Sequence, residues 1–544
     1  MEEWSVKRLV IVAATAGLGV TALGATAASA ATGSVDANQV SKVKWHACST
    51  DFVKTVAANY DPIFPVSKIV QCGQLQVPLD YAKPNGKKIS LFVTKTPHNG
   101  KGKAKGSIVV NPGGPGGAGG IFGPRVFAQN SPAMRAAYDV IGFDPRGVGD
   151  SKPSLSCDTA YGREPRPDYG NGDAKSEKIW LKRTYGYDAA CKKADKIGLL
   201  KHIHTTDSAR DVNSIRIAVG SKKLDYYGAS YGTYLGSVYA TMFPTKVGRM
   251  VLDGVVGPSG VWYQANLDQN VAFNKNMDYY FGWVAKYDSV YHLGKTQKEV
   301  RSYFYGLRSK LAKKPVYSAD KSAAASSDSL VDVAQNAGYR RSASMWNMVA
   351  TGLSAYKKGD IATFVDTFGG PTSGPVDDNE FAVYNAVQCT DVQWPTSWKK
   401  WHKDNVKSNK IAPFGTWGNV WFNSPCLGWP AKAAKPVNVG AVKNLPKNIL
   451  MFQATDDAAT PYKGAQDMQR RLKGSHLVVQ DGDRTHCIVH RGSAAVDAYF
   501  DAYFLNGKLP SKSTVHVPQL GDPTPPAGMR SAAATGALLN DVLK

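Results

Sequence analysis

The 544-residue chain is 43% hydrophobic and 20% charged, with 12 Trp and 26 Tyr, which suits one large domain with an insertion, or two domains, and excludes a wholly disordered polymer. Its formal net charge of +23 allows attraction to nucleic acid, to anionic cell-wall polymer or to acidic substrates. The lysines, as at 101–105 and 399–410, are scattered without the aromatic and arginine pattern of a nucleic-acid groove; that excludes nucleic acid and leaves weak attraction to wall polymer open.

Lys7 and Arg8 precede an apolar stretch from Leu9 to Ala25, and Ala28-Ser29-Ala30 supplies small residues for cleavage. Residues 1–30 therefore read as a secretory signal peptide, with an uncleaved membrane anchor as the rival reading. No later stretch is apolar enough to span a bilayer, so the expected product is secreted and extracellular, without stable membrane association. Seven cysteines are too widely spaced for a thiolate zinc cluster and suit an oxidising compartment. Paired in sequence order they join Cys48 to Cys72, Cys157 to Cys191 and Cys389 to Cys426, leaving Cys487 free; order alone does not fix connectivity.

Short β-branched runs at Ser107 to Asn111 and Tyr138 to Phe143 read as strands that end in glycine and proline loops. Helical spacing at Ser208 to Val219 is followed by a strand at Leu224 to Tyr227, a helix at Tyr231 to Phe243 and a strand at Met250 to Leu252. This alternation predicts an α/β fold with a mainly parallel sheet. From residue 259 to 440 aromatics, lysines and helix-like stretches take over, interrupted by the low-complexity segment Ser318 to Ser329, and this region reads as a large, mostly helical inserted cap. Strand signals return at Asn448 to Gln453 and His476 to Gln480, before an amphipathic helix near Ser493 to Leu505. The expected domains are thus a core in two parts, 31–258 and 441–520, the cap at 259–440, and a tail at 521–544 whose role is unreadable.

Gly228-Ala229-Ser230-Tyr231-Gly232 matches G-x-S-x-G, and it stands after a strand and before a helix, where a sharp turn projects a serine hydroxyl from the sheet. An ordinary turn serine is the bland reading, which the flanking strand and helix disfavour. Asn111-Pro-Gly-Gly-Pro-Gly-Gly117 follows an upstream strand, where this arrangement supplies an oxyanion donor. The backbone N–H groups of Gly114 and Tyr231 are the candidates. A serine needs a base and an orienting acid, which follow in the order Ser, acid, His. Asp457 stands just beyond the Asn448 to Gln453 strand, with Asp456 as its rival, and His486 follows the last strand and a polar loop, with His490 as its rival. Ser230, Asp457 and His486 form the expected triad, which requires neither metal nor cofactor.

At these residues the sequence resembles the secreted tripeptidyl aminopeptidase family of actinomycete α/β-hydrolases, relatives of the proline iminopeptidases. The likeness is carried by Cys72 to Tyr81, Asn111 to Gly120, Gly142 to Gly149, Asp225 to Gly236, Met250 to Gly254 and Asp457 to Pro461, spread over residues 44 to 510. It implies an α/β-hydrolase fold and release of short peptides, often tripeptides, from free N-termini through an acyl-enzyme. The chain departs from the family at Arg484-Thr485, where glycine usually precedes the histidine, and in lacking a late cysteine after the closing helix. Carboxylates for the substrate amine do not carry over by motif; Asp377, Asp378, Glu380 and Asp391 are candidates in the cap. An esterase or amidase acting on small acyl compounds is the alternative function, because specificity lies in the cap. A wall-binding protein with a dead site is the third reading, which an intact triad opposes.

Overall fold

The computed structural model describes residues 40–526; the expected signal peptide at 1–30 and the tail beyond 526 lie outside the described residues. Ten strands form the central sheet: β1 (His46–Ala47), β2 (Gln71–Pro78), β3 (Lys88–Thr96), β4 (Gly106–Asn111), β5 (Tyr138–Phe143), β6 (Leu224–Ala229), β7 (Val247–Asp253), β11 (Ile449–Ala454), β12 (His476–Gln480) and β13 (Thr514–Val517). A three-stranded sheet of β8 (Val316–Tyr317), β9 (Ala323–Ala325) and β10 (Gly370–Pro371) lies within the insertion. The central order is β1-β2-β3-β5-β4-β6-β7-β11-β12-β13. Pairings among β1, β2, β3 and β5 are antiparallel, and the rest are parallel.

The inner parallel strands are short apolar runs buried over most of their length, as Ile449–Ala454 is throughout, whereas the edge strand β13 buries only Val517, so both faces of the inner strands must be covered. Helices 174–194, 205–218 and 231–242 pack one face through Trp180, Val212, Leu235 and Tyr239. Helices 119–129 and 494–506 cover the other through Phe127, Phe500 and Phe504. The expected strands and helices are present with ends shifted by a few residues; in the central sheet β1, β2, β3 and β13 are strands that the sequence reading did not mark. Asp144-Pro-Arg-Gly147 is an anchor: Arg146 forms a two-pronged ion pair with Asp211, Nη2 to Oδ1 at 2.7 Å and Nε to Oδ2 at 2.7 Å, and both side chains are buried.

Between β7 and β11 the chain leaves the sheet to build a mostly helical cap with its own core, in which Met277, Phe304, Leu330, Val349 and Phe364 are buried. Its helices are closed by local chemistry. Thr296 and Glu299 make a capping box on helix 297–313, and Ser326 with Ser329 makes another on helix 327–339. The low-complexity segment thus holds β9 and a helix start instead of a disordered break. Asp522 accepts from Tyr279 at 2.6 Å and the Pro523 carbonyl from Trp283 at 2.8 Å, so the chain returns to the cap after β13.

Disulfides join Cys48 to Cys72, Cys157 to Cys191 and Cys389 to Cys426, as sequence order predicts, and Cys487 is free and buried. Such bonds suit an oxidising compartment. Among the described residues no helix is long and apolar enough to cross a membrane.

Candidate active site

β6 ends at Ala229, and the chain turns at Ser230, with φ 56° and ψ −125°, into helix 231–242. A non-glycine residue in that region is strained, and the surroundings over-determine it: Ser230 N–H donates to the Asp253 carbonyl at 2.8 Å, and Thr233 N–H donates to the Ser230 carbonyl at 2.9 Å. The hydroxyl stands at a helix N-terminus, where developing negative charge is favoured.

The glycine loop after β4 lies against this turn. Gly113, at φ 98°, packs so closely that a Cβ there would come within 2.8 Å of both the Tyr231 nitrogen and Ser230 Cβ. Gly114 is open to the cavity. At Gly116, φ 101°, a Cβ would meet the Glu380 carbonyl at 2.7 Å, so glycine lets the cap helix 379–391 close onto the loop. Asn111 Oδ1 accepts from Gly113 N–H at 3.0 Å and holds the bend.

Asp457 is buried beyond β11, and its carboxylate lies 2.8 Å from His486 Nδ1. Thr460 steadies it, donating from N–H at 2.8 Å and from its hydroxyl at 2.9 Å. The rival Asp456 instead faces Lys275 and, at 3.3 Å, Arg484. Burial opposes charge on His486, but the Asp457 carboxylate and then Cys487 outweigh it, raising the imidazole from 6.5 to about 10. With Nδ1 facing Asp457, Nε2 is the nitrogen left for proton exchange. The rival His490 is pushed down to about 3 by burial and by Arg491 and Arg125, and it packs edge-on to Phe500.

Two anchors hold the His486 loop. The Asp253 carboxylate, at the end of β7, accepts from Ile488 N–H at 2.8 Å, Val489 N–H at 3.0 Å and the Tyr227 hydroxyl at 3.1 Å. Burial raises Asp253 to about 6. From the cap, the Tyr339 carbonyl accepts from His486 N–H at 2.8 Å, and the Tyr339 ring stands edge-on to the imidazole. No motif marks Tyr339, whereas Asp253 lies in the Met250 to Gly254 segment that carries the family likeness.

Ser230, His486, Gly114 and Tyr231 line one cavity of about 1140 Å³ between sheet and cap. Asp377 and Glu380 also line it. The other two candidate carboxylates are structural. Asp378 accepts from Cys157 and Asp158 N–H at 2.8 Å each, and Asp391 accepts from Thr205 N–H at 2.7 Å and its hydroxyl at 2.6 Å. Asp268, Asp332 and Asp467 line the cavity without having been marked by the sequence; Asp332 pairs with Arg166 at 2.8 Å and Asp268 with Lys463 at 2.7 Å.

The parallel sheet, the strained serine after β6 and the acid and histidine after later strands define the class: an α/β-hydrolase. Residues 412–516 match a family model described as TAP-like protein. The chain is 39% identical over 490 residues to a tripeptidyl aminopeptidase of Streptomyces lividans, covering 88% of this chain and 87% of the relative. It is 32% identical over 461 residues to serine protease Hip1 of Mycobacterium tuberculosis, covering 81% and 86%, and 29% identical over 466 residues to carboxylesterase B of that organism, covering 82% and 86%. The chain belongs to the tripeptidyl aminopeptidase family and is a serine hydrolase.

Proposed function

We propose that this protein is a secreted peptidase that removes short peptides, tripeptides foremost, from free N-termini. Ser230 Oγ attacks the substrate carbonyl while His486 takes its proton, and Asp457 orients and stabilises the imidazolium. The N–H groups of Gly114 and Tyr231 hold the oxyanion. His486 then returns the proton to the leaving amine, and water releases the acyl fragment by the same path. Asp377 and Glu380, on the cap side of the cavity, receive the substrate ammonium, and the cap, taken as residues 259–440, limits how much chain enters. The peptidase class rests on family membership. The observation that carries the site is the buried Asp457–His486 contact at 2.8 Å in the same cavity as the strained Ser230.

The test is a panel of chromogenic mono-, di- and tripeptides with free or acetylated N-termini, a short-chain ester, and the Ser230→Ala variant. Cleavage of free tripeptides that disappears on acetylation and in the variant is the expected result. Activity confined to the ester would move the function to a carboxylesterase, the activity in the name of one relative. Equal cleavage of free and blocked peptides would overturn the N-terminal reading.

A further inference from the structure

Tyr231 is the first residue of helix 231–242, so its N–H has no partner within the helix and its aim depends on how the tyrosine is held. The peptide that carries this N–H leaves Ser230 at ψ −125°, in the strained turn. An anchor on the far side of Tyr231 opposes relaxation of that turn. The side chain supplies one. It is buried, and its hydroxyl lies 2.6 Å from Thr205 Oγ1. Thr205 Oγ1 donates its own proton to Asp391 Oδ2 at 2.6 Å, so the tyrosine must supply the proton of the first bond. Asp391 Oδ1 accepts from Thr205 N–H at 2.7 Å, and Oδ2 also faces Trp262 Nε1 at 3.3 Å. Trp262 packs in turn on the Tyr231 and Tyr234 rings, with centroids 5.9 and 4.9 Å away. Thr205, Trp262 and Asp391 are all buried.

Asp391 is the last residue of the cap helix 379–391. The first turn of that helix meets the glycine loop, where the Glu380 carbonyl lies against Gly116, two residues after Gly114. One helix therefore bears on both candidate oxyanion donors, on the loop of Gly114 at its start and on Tyr231 at its end. Between these ends Phe381, Tyr384 and Gln388 line the cavity, and the Cys389–Cys426 disulfide ties the last turn to residues 424–427.

We propose that Asp391 is a positioning residue for the oxyanion hole: through Thr205 and the Tyr231 hydroxyl it fixes the direction of the Tyr231 N–H. This rests on the reading of Ser230 as nucleophile and of Gly114 and Tyr231 as oxyanion donors, and it holds for an ester as well as for a peptide. The carboxylate is suited to the task because three donors converge on it, and a carboxamide at the same place would turn an N–H₂ group toward some of them. The helix that lines the cavity thereby also sets the geometry of the reacting centre.

The test compares wild type with Asp391→Asn, Thr205→Val, Thr205→Ser and Tyr231→Phe on a short-chain ester and a free tripeptide anilide. It adds the affinities of trifluoroacetophenone and of its secondary alcohol. With the ketone, Ser230 Oγ adds to the carbonyl carbon, His486 takes the hydroxyl proton and the carbonyl electron pair moves to oxygen; the alcohol forms no oxyanion. Asp391→Asn, Thr205→Val and Tyr231→Phe are expected to lower kcat by about tenfold with KM little changed. Ketone affinity should fall in step while alcohol affinity stays, and Thr205→Ser, which keeps the hydroxyl, should stay near wild type. The double variant Tyr231→Phe with Asp391→Asn should lose no more than the weaker of the two singles, since both break one chain of bonds. Tyr231→Phe removes a single oxygen and carries the test even if Asp391→Asn does not fold. An unchanged kcat in Tyr231→Phe, or equal weakening of ketone and alcohol, would overturn the role of Asp391 and leave the triad standing. A wild type that binds ketone and alcohol alike would overturn the oxyanion reading, and this proposal with it. Ester turnover without peptide turnover would refute the peptidase reading alone, and the comparison of variants would then be decided on the ester.

Discussion

On the sheet side of the cavity, polar side chains are fixed largely by the backbone: Asp253 accepts from two main-chain N–H groups, and Asp457 from that of Thr460 as well as from side chains. On the cap side, carboxamides hold one another. Asn419 Nδ2 donates to Asn270 Oδ1 at 2.8 Å, and Asn423 Nδ2 donates to Asn419 Oδ1 at 2.8 Å and Asn266 Oδ1 at 3.3 Å. A backbone donor moves only with its strand or loop, whereas an amide side chain can rotate and trade donor for acceptor. The sheet side therefore suits atoms that must hold a reacting geometry, and the cap side suits contact with varied substrate groups.

The hardest test of this division is Ser230→Ala, expected to lower kcat by about 10⁶-fold while the fold persists; ester turnover and fluorophosphonate labelling measure it. Substantial residual turnover would break the assignment of chemistry to the sheet. Next, Asp457→Asn should lower kcat by about 10⁴-fold, whereas Asp456→Asn should change it by less than about threefold, because Asp456 pairs with the exposed Lys275 and with Arg484 instead of facing His486. Equal effects in steady-state kinetics would mean that the acid is not the one facing His486.

The pH profile sharpens the same contrast. His486 acts as a base only when neutral, and its neighbours raise it from 6.5 to about 10. The acid limb of kcat/KM should therefore lie above 6.5, falling about tenfold per pH unit below it, and Asp457→Asn should bring the limb down. In stability the sign is set by a raised folded value. The imidazolium contribution is full below about pH 6.5 and fades as pH climbs toward 10, which urea midpoints across that range would record. The smallest effect belongs to the cap: Asn419→Ala should raise peptide KM by about threefold with kcat unchanged. A loss in kcat instead would show that the carboxamide network helps hold the reacting geometry.

The same division explains what was legible in the sequence. Ser230, the glycine loop, Asp457 and His486 lie at strand ends, where a turn needs particular residues in a set order, so short motifs mark them. The cap offers no such constraint. Asp378 and Asp391 look like cavity acids in the sequence, but they spend their oxygens on the Cys157 and Asp158 amides and on Thr205. Asp268 and Asp332 reach the cavity by the angle at which their helices pack. Tyr339 acts through a carbonyl that every residue possesses, which no side-chain pattern can reveal. The family resemblance, by contrast, was readable from short segments in and around the core strands, such as Cys72 to Tyr81 and Asp225 to Gly236.

The bond from His486 N–H to the Tyr339 carbonyl has a consequence for inheritance. It makes the insertion an acceptor for the histidine loop, so the two cannot be exchanged between relatives as independent parts. A chimera that keeps this sheet but takes another cap must place a carbonyl at the same point, or leave a buried donor unmet at a cost of about 1–3 kcal/mol. Recombination within the family should thus preserve the last turn of that cap helix together with its histidine loop, even where the rest of the cap has diverged.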